Sequence, residues 1–268
     1  MNGNYPFFQL EKFPENKTAI LYFNRPEKLN AMSWNFWRDL PAVIREIEAD
    51  QDIVAVVIAG RGKSFTVGLD VIDFLVNNAE TLSSATVEAR ERLLKLILLM
   101  QQGFRAIAAG EKIYIAAIHN YCIGAGLDIA VACDLRLATA DAVFSLRETK
   151  IAIVADMGSL NRLPLIIGHG NARLMAYTGR NIPASQALSM GLVNEIYENQ
   201  ELLIAGASRL AGEIAANSAA AVRGTKKMLH FMESHSPDEG LDYVAAWNAA
   251  FLNMQEIEKA IRVALKNK

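Results

Sequence analysis

Short runs of unbroken apolar residues alternate along this chain with longer runs of helical period. Residues 18–23, 53–59 and 114–118 are continuous, rich in β-branched side chains and flanked by polar or turn residues. Runs of that kind predict strands buried on both faces, as in a parallel sheet. After Ser33, a good N-cap, the positions Phe36, Leu40, Val43, Ile44 and Ile47 recur on one helix face. Pro41 inside that segment predicts a kink or an early break. Residues 77–85 are polar and read as a mobile connection. Residues 87–104 then carry Leu93, Leu94, Ile97, Leu98 and Phe104 against Arg90, Glu91, Lys95 and Gln102, an amphipathic helix. Beyond residue 164 the pattern predicts a turn at 167–170, a helix over 172–178 stopped by Gly179, a helix start at 183–188 ended by Gly191, and a short strand over 192–197. From Glu201 onward it is helical: residues 205–221, 226–232 and 241–266, with Ser236-Pro237-Asp238-Glu239-Gly240 before the last. The expectation is an α/β core over residues 1–200 and a helical region over 201–268. No solenoid-type repeat and no low-complexity linker interrupts it.

The organising stretch is residues 114–164. A strand leads into Gly124-Ala125-Gly126, and Leu127, Ile129, Ala130, Val131 and Ala132 then read as a buried helix. Strand, glycine turn and helix together point free backbone N–H groups and a positive dipole end at an anion. Three acids sit in this stretch. Asp128 lies in the apolar first turn of the helix, Glu148 follows a strand-like run over 142–146 plus Arg147, and Asp156 is set in Ile151-Ala152-Ile153-Val154-Ala155-Asp156-Met157-Gly158. Acids in apolar surroundings should hold their protons more tightly than usual, because burial disfavours the charge. Taken singly, each has an ordinary reading, a cap or ion-pair partner for Asp128 and loop acids for the others. Residues 60–70, Gly60-Arg61-Gly62-Lys63-Ser64-Phe65-Thr66-Val67-Gly68-Leu69-Asp70, form a second glycine loop that alone could be a simple chain reversal. Two glycine loops with three acids are a far more specific pattern.

That pattern resembles the enoyl-CoA hydratase/isomerase (crotonase) superfamily, and within it the Δ3,5-Δ2,4-dienoyl-CoA isomerases. An acid after the glycine turn, a Glu at the end of the next strand and an Asp in the following loop fall on Asp128, Glu148 and Asp156. The resemblance extends from Phe23-Asn24-Arg25-Pro26 to Leu241-Asp242-Tyr243-Val244-Ala245-Ala246-Trp247-Asn248. It implies a ββα spiral with a C-terminal helical region that assembles trimers, often paired as hexamers. It implies that the backbone N–H groups of Leu69 and Ala125 form an oxyanion hole, that Gly68, Asp70, Gly124 and Gly126 belong to the substrate-binding loops, and that residues 87–104 wall an acyl pocket. The implied reaction is conversion of 3,5-dienoyl-CoA to 2,4-dienoyl-CoA in fatty-acid β-oxidation. Glu148 would take a proton from C2, Asp156 would deliver one to C6, and Asp128 would be a buried third acid that tunes the pair. CoA enters as part of the substrate, so no separate cofactor is expected. Hydration of a 2-enoyl-CoA is the alternative on the same fold. Hydratases of the superfamily carry a longer Glu where Asp128 stands and a glycine where Asp156 stands, and both departures favour the isomerase. A non-catalytic binding member of the fold, such as its RNA-binding relatives, should have lost the acids or gained a basic stripe, and neither is seen. The chain departs from the isomerase pattern at Thr149-Lys150, and it has Ala125 where glycine is usual.

Composition adds exclusions. With 268 residues, 52% hydrophobic and 21% charged, the chain can bury a large core. Lys and Arg number 27 against 29 Asp and Glu with no basic block, so nothing marks a nucleic-acid footprint. Arg25 and Lys28 could reach a CoA phosphate, but a solvated loop is the preferred reading. Cys122 and Cys133 sit in apolar company, which predicts buried thiols in a reducing compartment. His119, His169, His230 and His235 lack ligand spacing, so no metal site is expected, and His119 reads as a hydrogen-bonded core residue. The longest aliphatic patch, 93–100, is broken by Lys95 and too short to span a bilayer. The first residues lack the features of a secretory signal, and the last three, Lys266-Asn267-Lys268, are not a peroxisomal tripeptide. The expectation from these features is a cytoplasmic protein.

Overall fold

The computed structural model describes residues 3–266. Met1, Asn2, Asn267 and Lys268, the ends of the two expected regions, lie outside the described residues. The strands are β1 (Phe8–Phe13), β2 (Thr18–Phe23), β3 (Ala55–Gly60), β4 (Ile113–Ile118), β5 (Tyr121–Ile123), β6 (Leu135–Thr139), β7 (Val143–Ser145), β8 (Ile182–Pro183) and β9 (Glu195–Tyr197). The helices are α1 (Trp34–Ala49), α2 (Val71–Asn77), α3 (Ala79–Ser83), α4 (Val87–Ala109), α5 (Ala125–Ala132), α6 (Ser159–Thr178), α7 (Ala184–Ser189), α8 (Gln200–Ala215), α9 (Ala219–Met232), α10 (Pro237–Phe251) and α11 (Met254–Lys266).

A six-stranded sheet runs β1-β2-β3-β4-β6-β9, and β5-β7-β8 form a second, three-stranded sheet. Only the β1–β2 pair is antiparallel in the large sheet. The spiral follows from the order of pairing. Consecutive strands β4 and β5 enter different sheets and are followed by α5; β6 and β7 do the same and are followed by α6. Thus β4 pairs with β6 in one sheet while β5 pairs with β7 in the other. The preceding turn of the spiral is completed by the loop after β3, whose Thr66 bridges in parallel to Cys122 of β5.

Burial on both faces explains the unbroken apolar strands. Leu21 and Phe23, Val56 and Ile58, and Tyr114, Ala116 and Ile118 face a core shared with α1, α4, α5 and α6. The alternate residues Ile20, Tyr22, Val57, Ile115 and Leu137 face a second core closed by Leu203, Ala207 and Ala211 of α8. The first core holds an aromatic cluster in which Phe23 and Phe36 meet edge to face at 5.7 Å and Trp37 stacks on Phe104 at 5.7 Å.

The helix α1 runs through Pro41 without ending. Its ring is buried, and the packing of this helix against α4 outweighs the hydrogen bond lost to the carbonyl of Trp37. The polar stretch 77–85 is not a bare connection. Asp70 caps α2 by accepting the Asp73 N–H, α3 follows, and Thr86 caps α4. The expected helix over 205–221 divides, because Ser218 accepts the Ala221 N–H and starts α9 afresh. Within α6 the chain breaks at Gly168, φ 74°, which is the turn expected there. The pattern does not show strands β1, β5, β6 and β8. Gln9, Glu11 and Lys12 interrupt the first, and three residues give the second too little signal.

Helix α9 is fastened to the sheet by one buried cation. Lys226 Nζ donates to Asp134 Oδ2 at 2.8 Å and to the Lys112 carbonyl at 2.8 Å. Asp134 also accepts the Tyr114 N–H at 2.8 Å, at the second residue of β4. Replacing Lys226 with Met strands that carboxylate. Denaturant titration of Lys226→Met should show a loss of about 3 kcal/mol, and addition of Asp134→Asn should cost less than the sum of the single losses.

Candidate active site

The two glycine loops meet at one edge of the spiral. Gly68 has φ 83°, and a Cβ there would collide with the Ile123 carbonyl and lie 3.2 Å from the Ala125 nitrogen. Only glycine permits that approach. The loop is pinned from behind: Thr66 Oγ1 donates to the Asn30 carbonyl at 2.6 Å and accepts the Gly68 N–H at 3.1 Å. Gly124, φ 56°, precedes α5, and Ala125 is the first helical residue with ordinary negative φ. Alanine is therefore unstrained at this position. The N–H groups of Leu69 and Ala125 have no acceptor among the described residues. Both residues line the same cavity.

That cavity, about 340 Å³, holds all three acids. Its remaining walls are chiefly apolar: Trp37 of α1, Phe74 of α2, Ile97 and Met100 of α4, and Ile151 and Ile153. Asp128 is buried one turn into α5, and its Oδ1 accepts the Ser159 N–H at 2.7 Å, from the first residue of α6. Burial pushes its carboxyl up to about 6, against the pull of the Ser159 side chain and backbone N–H. Glu148 opens a 3-10 turn, Glu148–Ile151, and turns Oε1 toward Gly124, where a Cβ would stand 3.1 Å from it. Its Oε2 is buried without a hydrogen-bond partner among the described residues. Burial, with the Asp128 charge beside it, pushes Glu148 up to about 7. Asp156 lies before α6, tied to α4 by its carbonyl, which accepts Gln101 Nε2 at 2.7 Å. Burial raises its carboxyl as well. Three acids with raised proton affinity in one apolar cavity can divide the work of a base and an acid near neutral pH.

The other loop residues stand behind the wall. Gly126 packs on Thr66, where a Cβ would meet Cγ2 at 2.6 Å. Asp70 caps α2 and pairs with Arg25 Nη1 at 2.7 Å, and Arg25 also donates to the Ala31 carbonyl. Arg25 therefore braces the glycine loop. Lys150 lies against Gly179 and Thr149 donates to the Ala176 carbonyl, so neither lines the cavity. His119 is buried and its Nε2 lies 3.0 Å from the Gly62 carbonyl. Sequence reasoning missed Trp37, Arg147 and Ser159. The only signal for Ser159 was a glycine before a helix start, which frees an N–H. A larger cleft, about 750 Å³, lies behind α5 between Arg162 and Lys226 and contains none of the three acids.

The chain has relatives among known proteins. Residues 15–263 match the enoyl-CoA hydratase/isomerase family model. The chain is 39% identical over 99% of its length to the mitochondrial Δ(3,5)-Δ(2,4)-dienoyl-CoA isomerase of Rattus norvegicus, covering 81% of that protein. It is 37% identical over 94% of its length to the peroxisomal one of Arabidopsis thaliana, covering 91% of it. Its fold superposes on a candidate enoyl-CoA hydratase of Streptomyces coelicolor A3(2) with a TM-score of 0.89, at 26% identity, over 100% of this chain and 94% of the other. These relatives correct the expectation of a cytoplasmic protein, since the isomerases are mitochondrial or peroxisomal by name. The physical reason is simple: balanced charge and buried thiols are common to all those compartments.

The raised Glu148 carboxyl has a consequence for stability. In the unfolded chain it loses its proton near 4.5, in the folded chain near 7. Between those values the native state binds more protons than the unfolded one, so stability falls as pH rises and the full cost stands above 7. Glu148→Gln removes that cost. Urea titrations should find the variant more stable than wild type by about 2 kcal/mol at pH 8, with little difference at pH 4.

Proposed function

This chain belongs to the enoyl-CoA hydratase/isomerase family, and we propose that it isomerises 3,5-dienoyl-CoA to 2,4-dienoyl-CoA in fatty-acid β-oxidation. The observation that carries the reading is the presence of three raised acids, Asp128, Glu148 and Asp156, in one apolar cavity beside two unengaged backbone donors. Moving both double bonds into conjugation with the thioester requires loss of a proton at C2 and gain of one at C6. Glu148 takes the C2 proton; with a pKa about 7 it is available as a base at neutral pH. The electron pair moves onto the thioester oxygen, and the N–H groups of Leu69 and Ala125 form the oxyanion hole that receives the charge. The charge spreads along the conjugated chain to C6, where Asp156, whose proton affinity burial raises, gives up its proton. Asp128 stays charged at neutral pH, and its field strengthens Glu148 as a base.

Gly124, at the mouth of the turn, lets the thioester approach the Ala125 N–H, while Gly68, Asp70 and Gly126 fix the substrate-binding loops from behind. No resident cofactor or metal takes part; CoA arrives as part of the substrate. Neither nucleic acid nor membrane is a partner in this reading. Leu241, Phe251, Leu252 and Met254 are exposed on and beside α10, and such a face supports a homotrimer or a hexamer built as a dimer of trimers.

The test is to supply a 3,5-dienoyl-CoA and follow the absorbance of the conjugated 2,4-dienoyl thioester, with Asp156→Asn alongside. Wild type should convert it, and the variant should lose at least about 100-fold in kcat. Absence of conversion with ready hydration of a 2-enoyl-CoA would instead assign the hydratase reaction and leave Asp156 a structural acid.

A further inference from the structure

The acids of the cavity have no ion pair of their own. Among the described residues no Lys, Arg or His nitrogen lies within 4.0 Å of a carboxylate oxygen of Asp128, Glu148 or Asp156. Arg147, which lines the cavity, is turned to Asn181 and Ser145. Yet Asp128 is buried, and a charge so placed needs a counter-charge.

Arg162 is positioned to supply it. It stands in the first turn of α6, three residues after the Ser159 whose N–H holds Asp128. The guanidinium lies across Gly158, where any Cβ would collide with Nη1, and Gly158 has φ 121°. The positive φ favours glycine here, and a Cβ would push the guanidinium aside. Arg162 Nη1 is buried with no hydrogen-bond partner among the described residues. Glu148 Oε2, on the carboxyl coupled to Asp128, is likewise buried without a partner among the described residues. The coupling runs both ways, since Arg162 lowers the proton affinity of Asp128 and Asp128 supports the charge of Arg162. Other groups also face Arg162. Glu233, at the end of α9, supports its charge, Arg105 of α4 opposes it, and Cys133, its thiol pushed up to about 12, stays neutral beside it. Across the cleft, Lys226 is paired with Asp134, and Arg136 is spent on the carbonyls of Leu192 and Cys133. His230 lies 3.3 Å from Glu233. Facing Asp128 from the cavity side are Glu148 and Asp156.

We propose that Arg162 is a positioning residue for the acid set: its guanidinium keeps Asp128 ionised beside Glu148, so that Glu148 remains a strong base toward C2. The inference deepens the isomerase reading and rests on it. Removing the cation lets Asp128 take up a proton. A neutral Asp128 no longer repels the charge on Glu148, which then ionises at lower pH and becomes a weaker base.

The experiment is the pH profile of kcat/KM for isomerisation by wild type, Arg162→Gln, Arg162→Lys, Asp128→Asn and the Asp128→Asn/Arg162→Gln pair, each checked for folding by its thermal melt. Arg162→Gln should move the acidic limb to lower pH by about one unit and lower the plateau. Arg162→Lys should return the limb toward wild type. In the Asp128→Asn background, Arg162→Gln should produce no further movement. A limb left in place with a uniformly lower rate, or an equal shift in both backgrounds, overturns the proposal. Should Arg162→Gln not fold, Gly158→Ala displaces the guanidinium while keeping it, and must shift the limb the same way. Turnover by wild type tests the isomerase reading separately; if wild type hydrates instead, the same profiles are read on hydration.

Discussion

The constraint on which the rest depends is the cost of keeping carboxylates out of water. Desolvation is the largest influence on each of Asp128, Glu148 and Asp156, and in each it raises the proton affinity. An apolar cavity that holds three acids can persist only if the surrounding fold is stable enough to carry the penalty. The two cores on either side of the large sheet supply that stability. β2, β3 and β4 are buried on both faces, and the aromatic cluster around Phe36 backs the wall that Trp37 contributes to the cavity. The spiral then does what a single sheet could not. Because successive strands enter different sheets, the loop after β3 and the turn after β5 stack side by side. Leu69 and Ala125 come together although they are far apart in sequence.

Much of this fold was legible in the chain because burial on both faces leaves a strong pattern. The runs ending at Phe23, Ala59 and Ile118 needed no partner to be read as strands. What escaped was whatever depended on a neighbour. β5 is three residues long and exists through pairing with β7 and the bridge from Thr66. α2 and α3 are too short to show a periodicity, and their order comes from the Asp70 cap, from α2 packing on α1 and from α3 packing on α4. Ser218 divides the alanine-rich helix through one capping contact that propensity averages away.

The site shows the same division. Asp128, Glu148 and Asp156 stood out because an acid in an apolar run is an anomaly that a sequence displays directly. Their partners did not stand out. The N–H of Ser159 is a backbone group, and no side-chain pattern announces it. Arg162 reads in sequence as an ordinary polar position on a helix. Its contact with Gly158 is local to the start of α6, and only the packing of α6 on α5 brings that end of the helix to Asp128. Arg25 illustrates the reverse error of emphasis. Its charge suggested either a phosphate contact or a solvated loop, whereas the fold engages it with Asp70 and the Ala31 carbonyl.

The acids also differ in how they are held, and that difference bears on the chemistry. Asp128 receives an N–H and the field of a guanidinium, both of which favour its charged form. Glu148 receives an orphaned Oε2 and a neighbouring negative charge, both of which favour its protonated form. Asp156 is tied to α4 through its carbonyl, and burial raises its carboxyl against the pull of its own backbone N–H. A fixed anion, a base of near-neutral affinity and an acid raised chiefly by burial form a graded set. In the proposed reaction that gradation matches the order of events. The charge that never moves sits deepest, the group that takes the first proton lies beside the glycine turn, and the group that gives the second stands at the entrance to α6. The gradation comes from backbone position, since all three side chains are carboxylates of nearly the same intrinsic strength.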